Sequence, residues 1–447
     1  MSSDSIIGQP VDRADGPAKV TGAALYAAEH AVSGLTHAVL VTSTIPSGRI
    51  ASLHTARAEK MRGVALVMTH LNAPKLPPNG VNPPAERFLN LLQDDQVHYN
   101  NQPVAMVVAD TLEHAQDAAR AVMITYAAGQ AELDFNHAKA AAFAPKKARD
   151  QDADTARGDF PAGWRDAASR VDAVYTTAIQ HHNPMEPAAD ALGLPLEKVR
   201  FELGDTSLPP APVSGGSQSV ASVAPAVQAA ALAAREKLVA LALADPQSPL
   251  HGADPGEIVI ERGWMARRSA PARRESVADL LTRHGAGVEA AADSRPGDEA
   301  HAFAMHSFGA VFAEVKVYPD LGIITVPRIV GAYGVGQLMN RKTGHSQLMG
   351  GIVWGIGVAL LEKTELDPRT GRAVNGNLAE YHVPVNADVG SIDIIVVDET
   401  DPHINPLSAK GIGEIGIVGV AAAIGNAVYH ATGRRVRDLP ITLDKLL

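Results

Sequence analysis

Lys410-Gly411-Ile412-Gly413-Glu414-Ile415-Gly416 places a single carboxylate among glycines and isoleucines, just ahead of an apolar, Ala/Gly-rich segment from Val418 to Val428. Gly411, Gly413 and Gly416 allow the backbone to turn tightly or to approach a large ligand closely. Ile412 and Ile415 keep the surroundings apolar. A carboxylate in such a hollow is poorly solvated, which raises its pKa and suits it to act as a base. The same residues also suit a glycine-rich loop before a buried helix, with Glu414 near the helix N-terminus, where acids are favoured in any case.

Upstream, Phe308 to Tyr318, the turn Pro319-Asp320-Leu321-Gly322, and Ile323 to Tyr333 read as a β-hairpin. Asn340 to Gly357 carries Gln347 and then Gly350, Gly351, Gly355 and Gly357, a helix whose small residues permit close packing. Ile392 to Val397 is a strand, and Arg434 to Leu447 a short strand and tail. Further back, Ser214-Gly215-Gly216-Ser217-Gln218-Ser219 precedes a long Ala-rich helix, about Val223 to Ala244. Paired glycines with hydroxyl and amide side chains at a helix start make a phosphate or pterin cradle, although most such loops are only helix starts. Residues 246–300 read as a small β/α excursion at the surface.

The N-terminal third has a different rhythm. Asp12 to Gly22 is a loop into strands at Thr36–Thr42, Arg49–Leu53, Val64–Thr69 and Val104–Val108, with a helix over Thr55–Met61. Thr111 caps a second helix running to Tyr126. Strands alternating with helices over residues 20 to 130 predict a compact α/β unit. Residues 130 to 165 read as a linker. Val171 to Gln180 is a strand leading into Gln180-His181-His182-Asn183-Pro184-Met185-Glu186-Pro187. Adjacent histidines on a strand face opposite ways, so His181 and His182 do not share a metal; Glu186 reads as a structural acid and His345 as a surface residue.

The chain has 447 residues and a net charge of −10, which argues against a nucleic-acid surface, and aromatics at 4% argue against base stacking. Zero cysteines exclude disulfides, thiolate zinc sites and cysteine-ligated iron–sulfur clusters on these residues. Met1-Ser2-Ser3-Asp4-Ser5 lacks the pattern of a signal peptide. The longest apolar runs, Leu348 to Leu361 and Ile415 to Gly425, are expected to be too short to span a bilayer, so the chain reads as soluble.

Taken together, these stretches resemble the molybdenum-cofactor-binding large subunit of the xanthine dehydrogenase / aldehyde oxidase family, and in particular the bacterial periplasmic-type aldehyde oxidoreductase large subunits. Val11-Asp12-Arg13 with Asp15 to Gly22 is similar to the family's N-terminal entry, and Asn101 to Ala109 to the central strand of its hammerhead domain. His182 to Pro187 is similar to its Met-Glu-Pro motif. Leu203 to Thr206 with Ser214 to Gln218 resembles a cofactor-dinucleotide loop, Asn340 with Gln347 and Gly350 a pterin-contact helix, and Arg435 to Thr442 the C-terminal segment. Lys410 to Glu414 resembles the loop of the catalytic glutamate. One departure is large. Only Ala188-Ala189-Asp190-Ala191 separates Pro187 from Leu192, where the family has several hundred residues. The Gly-Gly-Gly-Phe-Gly-type loop, the Arg-Ala-Pro-Gly segment and the Gln-Gly contact of that piece occur nowhere in the sequence.

The resemblance implies an α+β fold. Residues 1–19 form an N-terminal segment and 20–130 an α/β hammerhead domain. Residues 131–189 are a linker with a remnant of the first molybdopterin-binding domain, and 190–447 the second such domain. It implies a molybdopterin cofactor in its cytosine dinucleotide form, contacted by Gly215, Gly216, Ser217, Gln218, Gln347, Lys410, Gly411 and Gly413, with Glu414 as base and no protein side chain on the metal. The implied reaction is hydroxylation of aldehydes or aromatic N-heterocycles. Electrons would leave to an iron–sulfur subunit, alongside an FAD subunit, with no Fe–S or FAD on this chain. No nucleic-acid or membrane partner is expected. The implied location is cytoplasmic, or periplasmic by export with a partner. The deletion raises two other readings: an inactive family member, or a scaffold completed by another chain.

Overall fold

A computed structural model describes residues 6–12, 16–23, 33–76, 89–143, 215–295 and 297–446, with short pieces between 145 and 199. The expected strand at Val171–Gln180, the His181–Pro187 motif and Leu203–Ser214 lie outside the described residues. The fold is α+β, in two compact units.

The first unit comprises Ala28–Asp172 and Thr364–Tyr381. Its centre is strand Pro103–Ala109, where β-branched and small residues suit a strand buried on both faces. Strands are numbered here along the chain: β1 His37–Thr42, β2 Gly48–His54, β3 Val64–Thr69, β4 Gln96–Val97, β5 Pro103–Ala109 and β6 Met123–Ala128. One antiparallel sheet runs β1-β5-β3 and a second β4-β2-β6. Val107 of β5 is matched by Val39 on one side and Val67 on the other. Thr111 accepts a hydrogen bond from the His114 amide and starts helix Leu112–Ala121, which buries Ala115 and Ala118. The helix ends five residues before Tyr126. Met123–Ala128 is instead a strand paired with β2, because Ile124 and Tyr126 pack against Ile50 and Val97 of that sheet and Val104 of β5. Tertiary packing here overrides a helical periodicity. The linker contains a short helix, Phe135–Ala138, and a two-residue ladder of β7 Lys147–Ala148 and β8 Gln151–Asp152.

The second unit comprises Met1–Ala27, Ala173–Lys363 and His382–Leu447. Gly16–Thr21 is a short helix rather than the expected loop. The alanine helix spans Ser219–Ala244, starting four residues earlier than its Val223 estimate. The excursion at 246–300 has its own core. Strands β9 Ile258–Glu261, β10 Trp264–Arg267 and β11 Ala270–Ser276 form an antiparallel sheet. With helix Val277–His284 it buries Met265, Leu250 and Leu280 against Leu238, Val239 and Ala242 of the alanine helix. Inside it, buried Glu275 pairs with Arg283 at 2.6 Å, and Arg283 also holds Asp245 at 2.7 Å.

The hairpin is β12 Phe308–Tyr318 and β13 Ile323–Gly334, and β14 Ser391–Val397 adds to β13 in parallel. Two helices cover this sheet: the glycine helix Arg341–Leu360 and helix Val420–Thr432. Ile352, Ile356, Val420 and Ile424, all at most 1% exposed, fill the space between them and the sheet, each contributing about 1.5–3 kcal/mol by burial. One helical stretch, Ile415–Thr432, has a mean hydropathy of 1.4 over 18 residues and is long and apolar enough to cross a membrane. This corrects the expectation that no run reaches that length, although its Val420, Ile424 and Val428 serve the protein's own core. The C-terminal strand expected at Arg434–Leu447 is absent among the described residues; Leu443–Lys445 forms a single 3-10 turn.

Candidate active site

Three segments far apart in sequence meet at Glu414. Ser217 Oγ donates to Glu414 Oε2 at 2.9 Å across 197 residues of chain. Gln347 Nε2, from the second turn of the glycine helix, donates to the Gly413 carbonyl at 2.8 Å. Ser307 Oγ donates to the Gly411 carbonyl at 2.7 Å. Glu414 itself is half-buried at the start of the one-turn helix Ile415–Val418. His345, on the exposed face of the glycine helix, takes no part.

The turn that carries Ser217 is unusual. Gly216 (φ 64°) and Ser217 (φ 55°) are both left-handed, a conformation that costs a non-glycine residue about 1 kcal/mol or more. It is held by fit. An ideal Cβ on Gly411 would lie 2.6 Å from the Ser217 carbonyl oxygen, and one on Gly413 would lie 3.0 Å from Ser217 Oγ. Both glycines are therefore required by the chain's own serine turn. This gives both glycines a role inside the chain in addition to the expected one as cofactor contacts.

Lys410, also expected at the cofactor, has its side chain engaged within the loop. Its side chain is 4% exposed and its ammonium lies 2.6 Å from Glu399 and 3.0 Å from Asp401, and it also donates to the His306 carbonyl. Glu399 in turn accepts from the Gly336 amide at 3.1 Å. Burial alone would pull the Lys410 ammonium down, but its hydrogen bonds to Glu399 and Asp401 outweigh that effect and hold its pKa above the ordinary value. Asp401 is held below the ordinary carboxylate value by its hydrogen bond from Lys410. The Lys410 ammonium therefore clamps the loop internally. Two acids at 399 and 401, shortly before Lys410 in the sequence, were the signal for this clamp.

The dry hollow expected around Glu414 also takes a different form. Ile412 and Ile415 turn beneath the loop and pack on Tyr333, Val335, Leu338 and Leu348. Burial pushes the Tyr333 hydroxyl up to about 12, and that hydroxyl donates to the Gly416 carbonyl at 3.4 Å. The apolar residues form a floor, and the carboxylate rises from it to a hydroxyl donor.

The N-terminal residues brace the same helix that carries Gln347. Asn340 caps it, accepting from the amides of Lys342 and Thr343, and its Nδ2 donates to the Val11 carbonyl at 3.0 Å. Gly8 donates its amide to Met339, Asp12 pairs with Lys342, and Ile7 packs with Ala224, Met339, Leu407 and Ala409. Nothing in residues 6–12 alone marks a partner some 330 positions away.

Whether these residues fit a molybdopterin group depends on which side is considered. The Gly215–Gln218 turn opens a 26-residue helix, and the N-terminus of a long helix favours an anion. At its first residue Ser219, 3% exposed, has a buried hydroxyl with no hydrogen-bond partner among the described residues. That side fits an anionic pterin or pyrophosphate. On the Lys410–Gly413 side, the glycine Cβ positions are taken up by Ser217 and the Lys410 side chain by its ion pairs, which leaves the backbone as the part that could meet the group.

Residues 180–390 match the molybdopterin cofactor-binding domain, and residues 21–130 match the aldehyde oxidase and xanthine dehydrogenase a/b hammerhead domain. The chain is 39% identical over 262 residues to the aldehyde oxidoreductase molybdenum-binding subunit PaoC of Escherichia coli K12, covering 59% of this chain and 34% of that one. It is 30% identical over 279 residues to the nicotine 6-hydroxylase large subunit of Paenarthrobacter nicotinovorans, covering 58% and 32%. In fold it is similar to quinoline 2-oxidoreductase from Pseudomonas putida 86, with a TM-score of 0.73 at 15% identity over 99% of this chain and 98% of that one. The chain belongs to the xanthine dehydrogenase / aldehyde oxidase family of molybdenum-binding subunits. Its match spans about a third of the length of these curated relatives.

Proposed function

We propose that this chain is the cofactor-binding subunit of a molybdenum-dependent hydroxylase that oxidises aldehydes or aromatic N-heterocycles, with Glu414 as the base. The observation that carries the reading is the convergence of Ser217, Gln347 and the Glu414 loop from three distant segments. Bound molybdopterin, in its cytosine dinucleotide form, supplies the two-electron acceptor that these side chains lack. Ser219 and the amides of the Gly215–Gln218 turn hold its anionic groups. Glu414 takes the proton released as the substrate is hydroxylated. Gln347 fixes the Gly413 backbone, and with it the position of that carboxylate. The sequence holds zero cysteines, so iron–sulfur clusters sit on a partner subunit, and an FAD subunit completes the electron path. The complex works in the cytoplasm, or in the periplasm when exported with a partner.

The test is expression with cofactor-maturation machinery. Bound molybdenum and aldehyde oxidation are expected, with Glu414→Gln lowering kcat by roughly 10²–10⁴-fold while molybdenum is retained. Metal analysis that finds no molybdenum rejects the proposal. A second reading, that another chain supplies the missing cofactor loops, is favoured by the four residues between Pro187 and Leu192. It expects a complementary polypeptide to co-purify, and a monodisperse, active single chain eliminates it.

A further inference from the structure

We infer that Ser217 is the positioning residue of Glu414, and that Gly411 and Gly413 are glycines in order to admit it. The inference rests on the reading of Glu414 as the base, and adds a role that cofactor contact does not give. Three facts converge on one atom. Ser217 Oγ donates to Glu414 Oε2 at 2.9 Å. Ser217 takes a left-handed φ of 55° beside Gly216 at 64°, so its hydroxyl direction is set by the turn. The turn rests on Gly411 and Gly413, where any Cβ would meet the Ser217 carbonyl at 2.6 Å or its Oγ at 3.0 Å.

A carboxylate on a glycine-flanked loop has many orientations. A hydroxyl donor fixed by backbone geometry selects one of them and commits Oε2. The Gln347 bond to Gly413 acts on the backbone, whereas Ser217 acts on the carboxylate itself. Reaching Glu414 from the Gly411 side requires the serine turn to move, so the turn also sets which face of the carboxylate meets a ligand.

The test uses the whole chain without cofactor. The infrared difference between the parent and Glu414→Gln isolates the Glu414 carboxylate stretch. Ser217→Gly keeps the left-handed backbone and removes only the hydroxyl, and is expected to shift that stretch to the position of a carboxylate lacking a hydroxyl donor. Gly411→Ala, which keeps both side chains and displaces the turn, is expected to shift it the same way. Gly350→Ala, on the open face of the glycine helix with nothing within 4 Å, should leave it unmoved. An unmoved stretch in Ser217→Gly overturns the inference. Should that variant fail to fold, an unmoved stretch in Gly411→Ala overturns it equally. In the loaded complex Ser217→Gly is expected to lower kcat roughly tenfold with KM unchanged. Because the infrared readout needs no turnover, an inactive chain would sink the reading of Glu414 as base and leave this result standing.

Discussion

Lys410 and Glu414 share one loop, yet they face different worlds. Lys410 is 4% exposed and sits between two acids and a carbonyl. Glu414 is half-buried and meets a serine hydroxyl from a strained turn. One end of the loop is anchored by charge, and the other presents charge. A glycine-rich loop can therefore be rigid where it must hold and selectively oriented where it must act. The difference is invisible in residue types alone, because a lysine before glycines suits a ligand contact as well as an anchor.

The comparison breaks most sharply at the anchor. Lys410→Met leaves Glu399 and Asp401 facing each other in a poorly solvated site, and a cost of about 3 kcal/mol is expected in urea unfolding. The figure is the low end of the range for breaking a buried pair, since both acids keep some exposure, 22% and 14%. The pH dependence sharpens the point. Asp401 is held below its ordinary value of 3.8 by Lys410, so its stabilisation is present above that pH and lost as pH falls through its depressed pKa. Lys410 is held above its ordinary 10.5, so its stabilisation is present below that pH and lost as pH rises through the raised value. Asp401→Asn should therefore flatten the acid-side fall in stability. An unchanged acid limb would show that the ion pairs carry no net stability.

The packing beneath the loop gives the next effect. Gly351 of the glycine helix abuts Gly416, whose backbone would lie 2.9 Å from an added Cβ. Gly351→Ala is expected to cost about 1–3 kcal/mol by overpacking, with the thermal midpoint as readout and Gly350→Ala as its internal reference. This close approach was legible: small residues at Gly350, Gly351, Gly355 and Gly357 predicted it from spacing. So were β1, β3, β5 and the β12–β13 hairpin, whose alternation and β-branched runs are local signals. Other features were not legible, for physical reasons. Met123–Ala128 follows a helical period and becomes a strand only because β2 pairs with it. Residues 364–381 join the first unit, where Gly371 packs near Leu133 and Pro46, and nothing in their composition announces that return. Ser217, Gln347 and Glu414 were each legible as residues of interest. That Ser217 serves Glu414 depends on a positive φ, which a serine in a sequence does not announce.

A smaller effect tests whether the presenting end depends on the N-terminal brace. Asn340→Ala removes a cap with two amide partners and the donor to Val11, for an expected loss of about 1–2 kcal/mol. Because Gln347 lies on the same helix, faster proteolysis of residues 6–12 should accompany a weakened Gln347–Gly413 contact. A stable chain with an unaltered N-terminus would separate the brace from the site.

The smallest effect runs the other way, and for that reason it discriminates best. Gly350 and Gly351 are neighbours on one helix, but Gly350 faces open space whereas Gly351 faces the Glu414 loop. Alanine is favoured over glycine within a helix by roughly 0.5–1 kcal/mol, so Gly350→Ala should stabilise the chain by about that amount. If the glycine helix were rich in glycine merely for flexibility, both alanines would stabilise it alike. Opposite signs at adjacent positions, read from the same thermal unfolding experiment, would show that contact with the loop sets the requirement at Gly351. Stabilisation at both would mean that the helix and the Glu414 loop do not press together, and that the carboxylate lacks a fixed floor.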